Sequence, residues 1–153
     1  MKPNQSRIII ENVAPHLHDE DLYVKLTVGE PLEVEADILT DGHDTLNAHL
    51  KVKKKGARNW QEFPMQHLGE DRWKSCFVPE SEGFYSFCIE GWVDGPLTWL
   101  HGTRRKLDDG QHPTSELLEG AAYLEEVAKA AKGAAKKKAQ KWAAVLANLD
   151  AFD

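Results

Sequence analysis

The sequence is short of several things that would narrow its chemistry. Two cysteines in 153 residues, Cys76 and Cys88, are too few for a disulfide framework. With no export signal ahead of them they are expected as free, half-buried thiols on neighbouring strands. No apolar run approaches the about twenty residues that cross a membrane. The polar start MKPNQSR has no apolar core behind its charges, so neither a membrane span nor a signal peptide is expected, and a cytoplasmic location follows. There is no G-x-S-x-G, no nucleophile elbow and no glycine-rich phosphate loop, which removes the commonest hydrolase and nucleotide-binding signatures. The seven histidines are scattered, with only His16 and His18 close together, whereas a metal site needs several ligands at a recognisable spacing. Acid pairs occur in HDEDLY and LDDG, but a catalytic pair needs one carboxyl desolvated, and nothing in these polar stretches provides that. No catalytic residue, metal ligand or cofactor site is assigned.

Charged residues make up 29% and hydrophobic ones 41%, the composition of an ordinary globular chain. Residues 115–153 hold six acidic residues and six lysines, so the whole excess behind the net charge of -6 lies before them. An acidic front part argues against nucleic acid as its partner. The lysines at 129, 132, 136, 137, 138 and 141 read as the solvated face of helices that are neutral as a whole.

Strand alternation fills most of the chain. Gly83 to Gly102 has the densest aromatic content, with Tyr85, Phe87, Ile89 and Val93 on one face and Ser86, Cys88 and Glu90 on the other. Asp94-Gly95-Pro96 then reads as a turn that reverses the chain. Upstream, Arg7 to Val13 and Val24 to Val28 read as strands, with a polar loop over His16 to Tyr23 between them. Leu32 to Ile38 puts Leu32, Val34, Ala36 and Ile38 inward and Glu33, Glu35 and Asp37 outward. Leu46 to Lys54 puts Leu46, Ala48, Leu50 and Val52 inward and Asn47, His49, Lys51 and Lys53 outward. The acidic outer face of the first favours pairing with the basic outer face of the second. Trp60 to Met65 carries Pro64, which cannot donate to a ladder, so it belongs at an edge. After a turn over Leu68 to Asp71 comes a strand over Trp73 to Val78, and Leu97 to Lys106 suits one more.

Seven or eight short strands at roughly ten-residue spacing match an immunoglobulin-like antiparallel β-sandwich over residues 1–110. From Thr114 the period changes. Thr114 or Ser115 is placed to cap a helix with Glu116 and Glu119 in its first turn. Leu117, Ala121, Leu124, Ala128 and Ala131 then make one stripe, and Ala135, Ala139, Trp142, Leu146 and Leu149 another beyond Gly133. Residues 111–153 are therefore a C-terminal α-helical segment, as two helices or one kinked helix.

Among the five tryptophans, Trp92 and Trp99 flank the Asp94-Gly95-Pro96 turn, and such a pair is a candidate platform for stacking against sugar rings. The competing structural reading has Trp60, Trp73, Trp92 and Trp99 closing the ends of the sandwich.

Four blocks, RIIIENVAP, VGEPLEVEADILTDGHD, WQEFPMQHLGEDRWKSCFVPESEGFYSFCIEGWVDGPLTWLHG and ELLEGAAYLEE, resemble the N-terminal region of the bacterial maltose-1-phosphate maltosyltransferases of the α-amylase clan. The resemblance runs from Arg7 to about Glu126. It implies a sandwich domain followed by the start of an inserted helical domain, both helping to form a homodimer interface. The catalytic carboxylates of that family sit on a (β/α)8 barrel outside this chain, so by itself the chain is expected to be no enzyme. Its implied partners are the rest of the parent chain, a second copy and α-glucan. The strand that returns to the sandwich after the helices is also outside the chain, which implies an unfilled sheet edge. The alternative to this accessory and dimerisation module is a free-standing α-glucan-binding sandwich.

Overall fold

The computed structural model describes residues 8–16 and 23–148. Most of the expected loop after His16 and the end of the last helical stripe, Leu149, fall outside these residues. The elements run β1 (Ile8–Ala14), β2 (Leu32–Thr40), β3 (Leu46–Lys54), β4 (Gln61–Pro64), β5 (Gln66–Gly69), β6 (Arg72–Phe77), β7 (Tyr85–Val93), α1 (Gly95–Asp108), α2 (Thr114–Ala130) and α3 (Gly133–Ala147). Two compact units divide between Val93 and Asp94.

The first unit is a sandwich of two antiparallel sheets, ordered β1-β2-β6-β5 and β4-β3-β7. In an immunoglobulin-type sandwich the strands lie A-B-E-D on one sheet and C-F-G on the other. Here β1, β2, β6 and β5 take the first four positions, β3 and β7 take C and F, and β4 extends the second sheet beyond C. Among the described residues no strand stands beyond β7. The inward positions of the two central strands make the core as their alternation dictates: Val34, Ala36, Ile38, Ala48, Leu50 and Val52 are buried, with Met65, Trp73 and Phe77 beside them. Each large apolar side chain so buried contributes about 1.5–3 kcal/mol. Tyr85, Phe87 and Ile89 of β7 pack on that cluster but are only partly buried.

The electrostatic expectation holds in its logic and fails in its partner. β2 and β3 lie in different sheets. The acidic face of β2 meets β6, where Arg72 reaches Glu35 at 2.9 Å and Asp37 at 3.0 Å, and Lys74 reaches Glu33 at 2.7 Å. The basic face of β3 meets its own neighbours, Lys51 lying 2.9 Å from Glu90 on β7 and 3.4 Å from Glu62 on β4. Each face found opposite charge, but charge alone cannot say which strand supplies it. β4 is an edge strand, as Pro64 requires. The chain then changes sheet through the single buried residue Met65, whose N–H donates to the Ala48 carbonyl at 2.9 Å.

Three further expectations are corrected. Residues 24–28 form no strand: Thr27 and Glu30 close a local turn, and Leu26 and Val28 are exposed. Cys76 and Cys88 are free but exposed, on β6 and β7, which belong to different sheets. Leu97 to Lys106 is helix, not strand, because Asp94-Gly95-Pro96 is a helix start. Asp94 Oδ1 accepts from the Leu97 N–H at 2.9 Å and Pro96 sits in the first turn, where its missing N–H costs nothing.

In the second unit α2 and α3 are separate helices. Extended backbone at Ala131 and Lys132 and a positive φ of 60° at Gly133 part them. They pack against each other, and their buried residues are mostly small: Gly120, Ala121 and Ala128 on α2, Ala139 and Ala143 on α3. Trp142, expected in the stripe, is exposed. Pro113 takes the N-cap position of α2 without a side-chain bond, so neither Thr114 nor Ser115 caps it; Ser115 Oγ donates to Glu116 instead.

Candidate functional site

The two tryptophans singled out by sequence belong to different units. Trp92 is half-buried on the outer face of β7, opposite Asn47, with its ring 4.9 Å from His49 and nearly perpendicular to it. His49 lies 3.6 Å from Glu62, so an indole, an imidazole and a carboxylate share that face. Trp99 lies on α1. Its indole N–H donates to the Glu116 carbonyl, its ring lies 6.3 Å from Tyr123, and it covers Gly120 so closely that a Cβ there would overlap the ring. Its polar handle and a large part of its surface are thus spent inside the helical unit. Trp73 is in the sandwich core, while Trp60 is exposed.

Glu116 also takes Lys106 and Ser115 on its carboxylate, and these, with Lys106 first, hold its pKa below the ordinary 4.5. Burial, followed by the bond to Glu119, pushes the Tyr123 phenol up. In the sandwich the Asn12 amide, then the Arg72 guanidinium, hold the Asp37 carboxyl below 3.8. Each of these three groups is held by ion pairs or hydrogen bonds to neighbours that face solvent at least in part. Among the described residues no three metal-ligating side chains converge, and no helix is long and apolar enough to cross a membrane.

Among the described residues the sandwich is open at one end. A cavity of about 890 Å³ runs between the sheets there, floored by Val34, Val52 and Phe87 and lipped by Tyr23, Leu26 and Phe84. Tyr23 and Phe84, whose rings meet edge to face at 5.4 Å, are 65% and 59% exposed. Beside it a cleft of about 490 Å³ brings Lys53, Lys54 and Lys55 together with Trp60, Phe84 and Tyr85. Sequence reading passed over this group. The signal was present in the run KVKKKGARNW, where basic residues outrun strand alternation just before an exposed tryptophan.

Residues 6–152 match the family model for alpha-1,4-glucan:maltose-1-phosphate maltosyltransferase, domain N/S. Curated proteins of that enzyme name are similar to the chain. The one from Chlorobaculum tepidum is 40% identical over 119 residues, covering 78% of this chain and 18% of its own length. That from Myxococcus xanthus is 42% identical over 122 residues, covering 77% and 18%. A relative from Streptomyces coelicolor is 32% identical over 124 residues, covering 80% and 18%. The chain spans about 18% of the length of these relatives, and the catalytic domain lies outside it. With its sandwich and helices both inside the matched range, the chain belongs to the domain N/S family of the alpha-1,4-glucan:maltose-1-phosphate maltosyltransferases.

Proposed function

We propose that the chain is the non-catalytic N-terminal module of a cytoplasmic maltosyltransferase that transfers maltosyl units from maltose 1-phosphate to α-glucan. Its own work is to dock the rest of the parent polypeptide, including the catalytic barrel, and to form a homodimer. The observation that carries this reading is the edge of β7, beyond which no strand stands among the described residues. An edge strand of nine residues with a partly buried core face is a template for another strand, and the immunoglobulin arrangement has a strand in that place. The exposed apolar lip at Tyr23, Leu26 and Phe84 gives the same partner a surface to bury.

The deciding measurement is the apparent mass, in a lysate of the source cells, of what an antibody against this domain detects. A band several times heavier than 17.2 kDa is expected; a band at that mass would sink the reading. Sedimentation of the heavy species at twice its chain mass is the outcome expected for the dimer. A second reading, α-glucan held on the sheet face at Trp92, is favoured by the half-buried indole beside His49 and Asn47. It requires saturable maltooligosaccharide binding that Trp92→Ala abolishes, whereas the packing of Trp99 makes Trp99→Ala a change in stability first.

A further inference from the structure

We infer that the smaller cleft at the β3–β4 end of the sandwich binds a phosphorylated sugar. Its volume of about 490 Å³ is in the range of small-molecule sites. Three lysines line it, and no carboxylate is among its described lining residues, in a chain whose net charge is -6. Elsewhere on the same unit the strand cations are neutralised: Lys51 by Glu90 and Glu62, Arg72 by Glu35 and Asp37, Lys74 by Glu33.

Here each ammonium is instead stationed over an aromatic ring. Lys53 Nζ lies 5.7 Å from the Trp60 ring centre, Lys54 Nζ 5.9 Å from that of Tyr85, and Lys55 Nζ 5.8 Å from that of Phe84. A cation–π contact positions an ammonium without cancelling its charge, so the three lysines bring theirs to the cleft uncancelled by the rings. Lys54 is fixed more firmly still. Its Nζ donates to Ser81 Oγ at 2.8 Å, and its stem crosses Gly83, where a Cβ would come within 2.8 Å of the lysine Cε. Gly83 has a φ of 141°, so the loop is shaped both in backbone and in space to let this side chain pass.

Ammonium point charges are phosphate binders, and exposed aromatic faces take the CH-rich face of a ring. A ligand matching both has an anionic ester at one end and a saturated ring at the other. The anionic half of this assignment stands on the geometry alone, and the choice of a sugar as the ring rests on the function proposed above.

The test is a titration of the isotopically labelled 153-residue chain with glucose 1-phosphate, with maltose and pyrophosphate as controls, followed by amide chemical shifts. Saturable shifts confined to residues 53–56 and 84–86 are expected with glucose 1-phosphate. Pyrophosphate should bind more weakly and maltose not at all. Raising salt from about 0.05 to 0.5 M should weaken binding, and Lys53→Gln with Lys55→Gln should weaken it by about tenfold or more. Lys53 is half-buried and Lys55 exposed, and the wild-type shift map stands without the variant. Absence of saturable shifts with either phosphate probe overturns the assignment. So does pyrophosphate binding as tightly as the sugar ester, preference for a DNA oligonucleotide, or indifference to the double substitution. None of these failures changes the lysate mass on which the proposed function depends.

Discussion

Gly120 shows how one missing side chain organises a unit. The Trp99 ring occupies the space a Cβ would need, and the indole N–H satisfies the Glu116 carbonyl in the first turn of the same helix. Gly120→Ala is expected to destabilise the helical unit by about 1–3 kcal/mol through overpacking, read as a lower urea midpoint of the tryptophan fluorescence transition. An unchanged midpoint would mean that the ring moves aside freely. A second residue-scale expectation concerns acid. The Asp37 pKa is held below its ordinary 3.8, by Asn12 first and Arg72 second. The unfolded chain therefore takes up this proton at a higher pH than the folded one. The stability Asp37 contributes is complete above the unfolded value and is lost as pH falls through the depressed folded value. Urea midpoints followed from pH 6 to about pH 2 should fall less steeply in Asp37→Asn than in the wild type. An equally steep fall would remove Asp37 from the acid response.

The elements were legible where periodicity and burial agree. Leu32 to Ile38 and Leu46 to Lys54 each have one face of apolar and one of charged residues, and the structure buries the apolar face of both. Val24 to Val28 alternates as cleanly yet forms no strand, since alternation only permits a strand and a paired neighbour makes one. Asp94-Gly95-Pro96 is ambiguous for a related reason: an aspartate accepting a backbone N–H and a proline with fixed φ serve a turn and a helix start alike. Only the residues after Pro96 can decide between the two, and Leu97, Thr98 and Trp99 carry no strong helical period to decide with. Asp94→Ala should cost about 1 kcal/mol as the loss of a cap, measured by thermal unfolding followed at a helix-sensitive wavelength. A loss of nothing would show that the Leu97 N–H finds water instead. Of the two tryptophans read as sugar platforms, Trp92 falls in the strand that alternation marks out, whereas Trp99 could not be placed, because its segment reads as strand and forms helix.

As a whole molecule the chain combines a filled core with an unfinished rim. Val34, Ala36 and Leu50 are completely buried while Tyr23, Leu26 and Phe84, at the mouth of the large cavity, face solvent. This imbalance predicts concentration-dependent association of the isolated chain. Leu26→Ser with Phe84→Ser should reduce that association in sedimentation velocity while moving the urea midpoint little, because exposed side chains contribute within about 0.5 kcal/mol. Persistence of the association would shift attention to the β7 edge. The sheet change at Met65 has a different consequence, one for the history of the sequence. Pro64 ends β4 in one sheet, Gln66 begins β5 in the other, and Ser75 Oγ clasps the Pro64 carbonyl at 3.0 Å. Inserting or deleting one residue there would turn every following side chain of β5 to the opposite face. Relatives are therefore expected to vary in length at the β3–β4 hairpin or the β6–β7 loop but to keep one length between Phe63 and His67, and a relative with the same two sheets and an insertion there would overturn this.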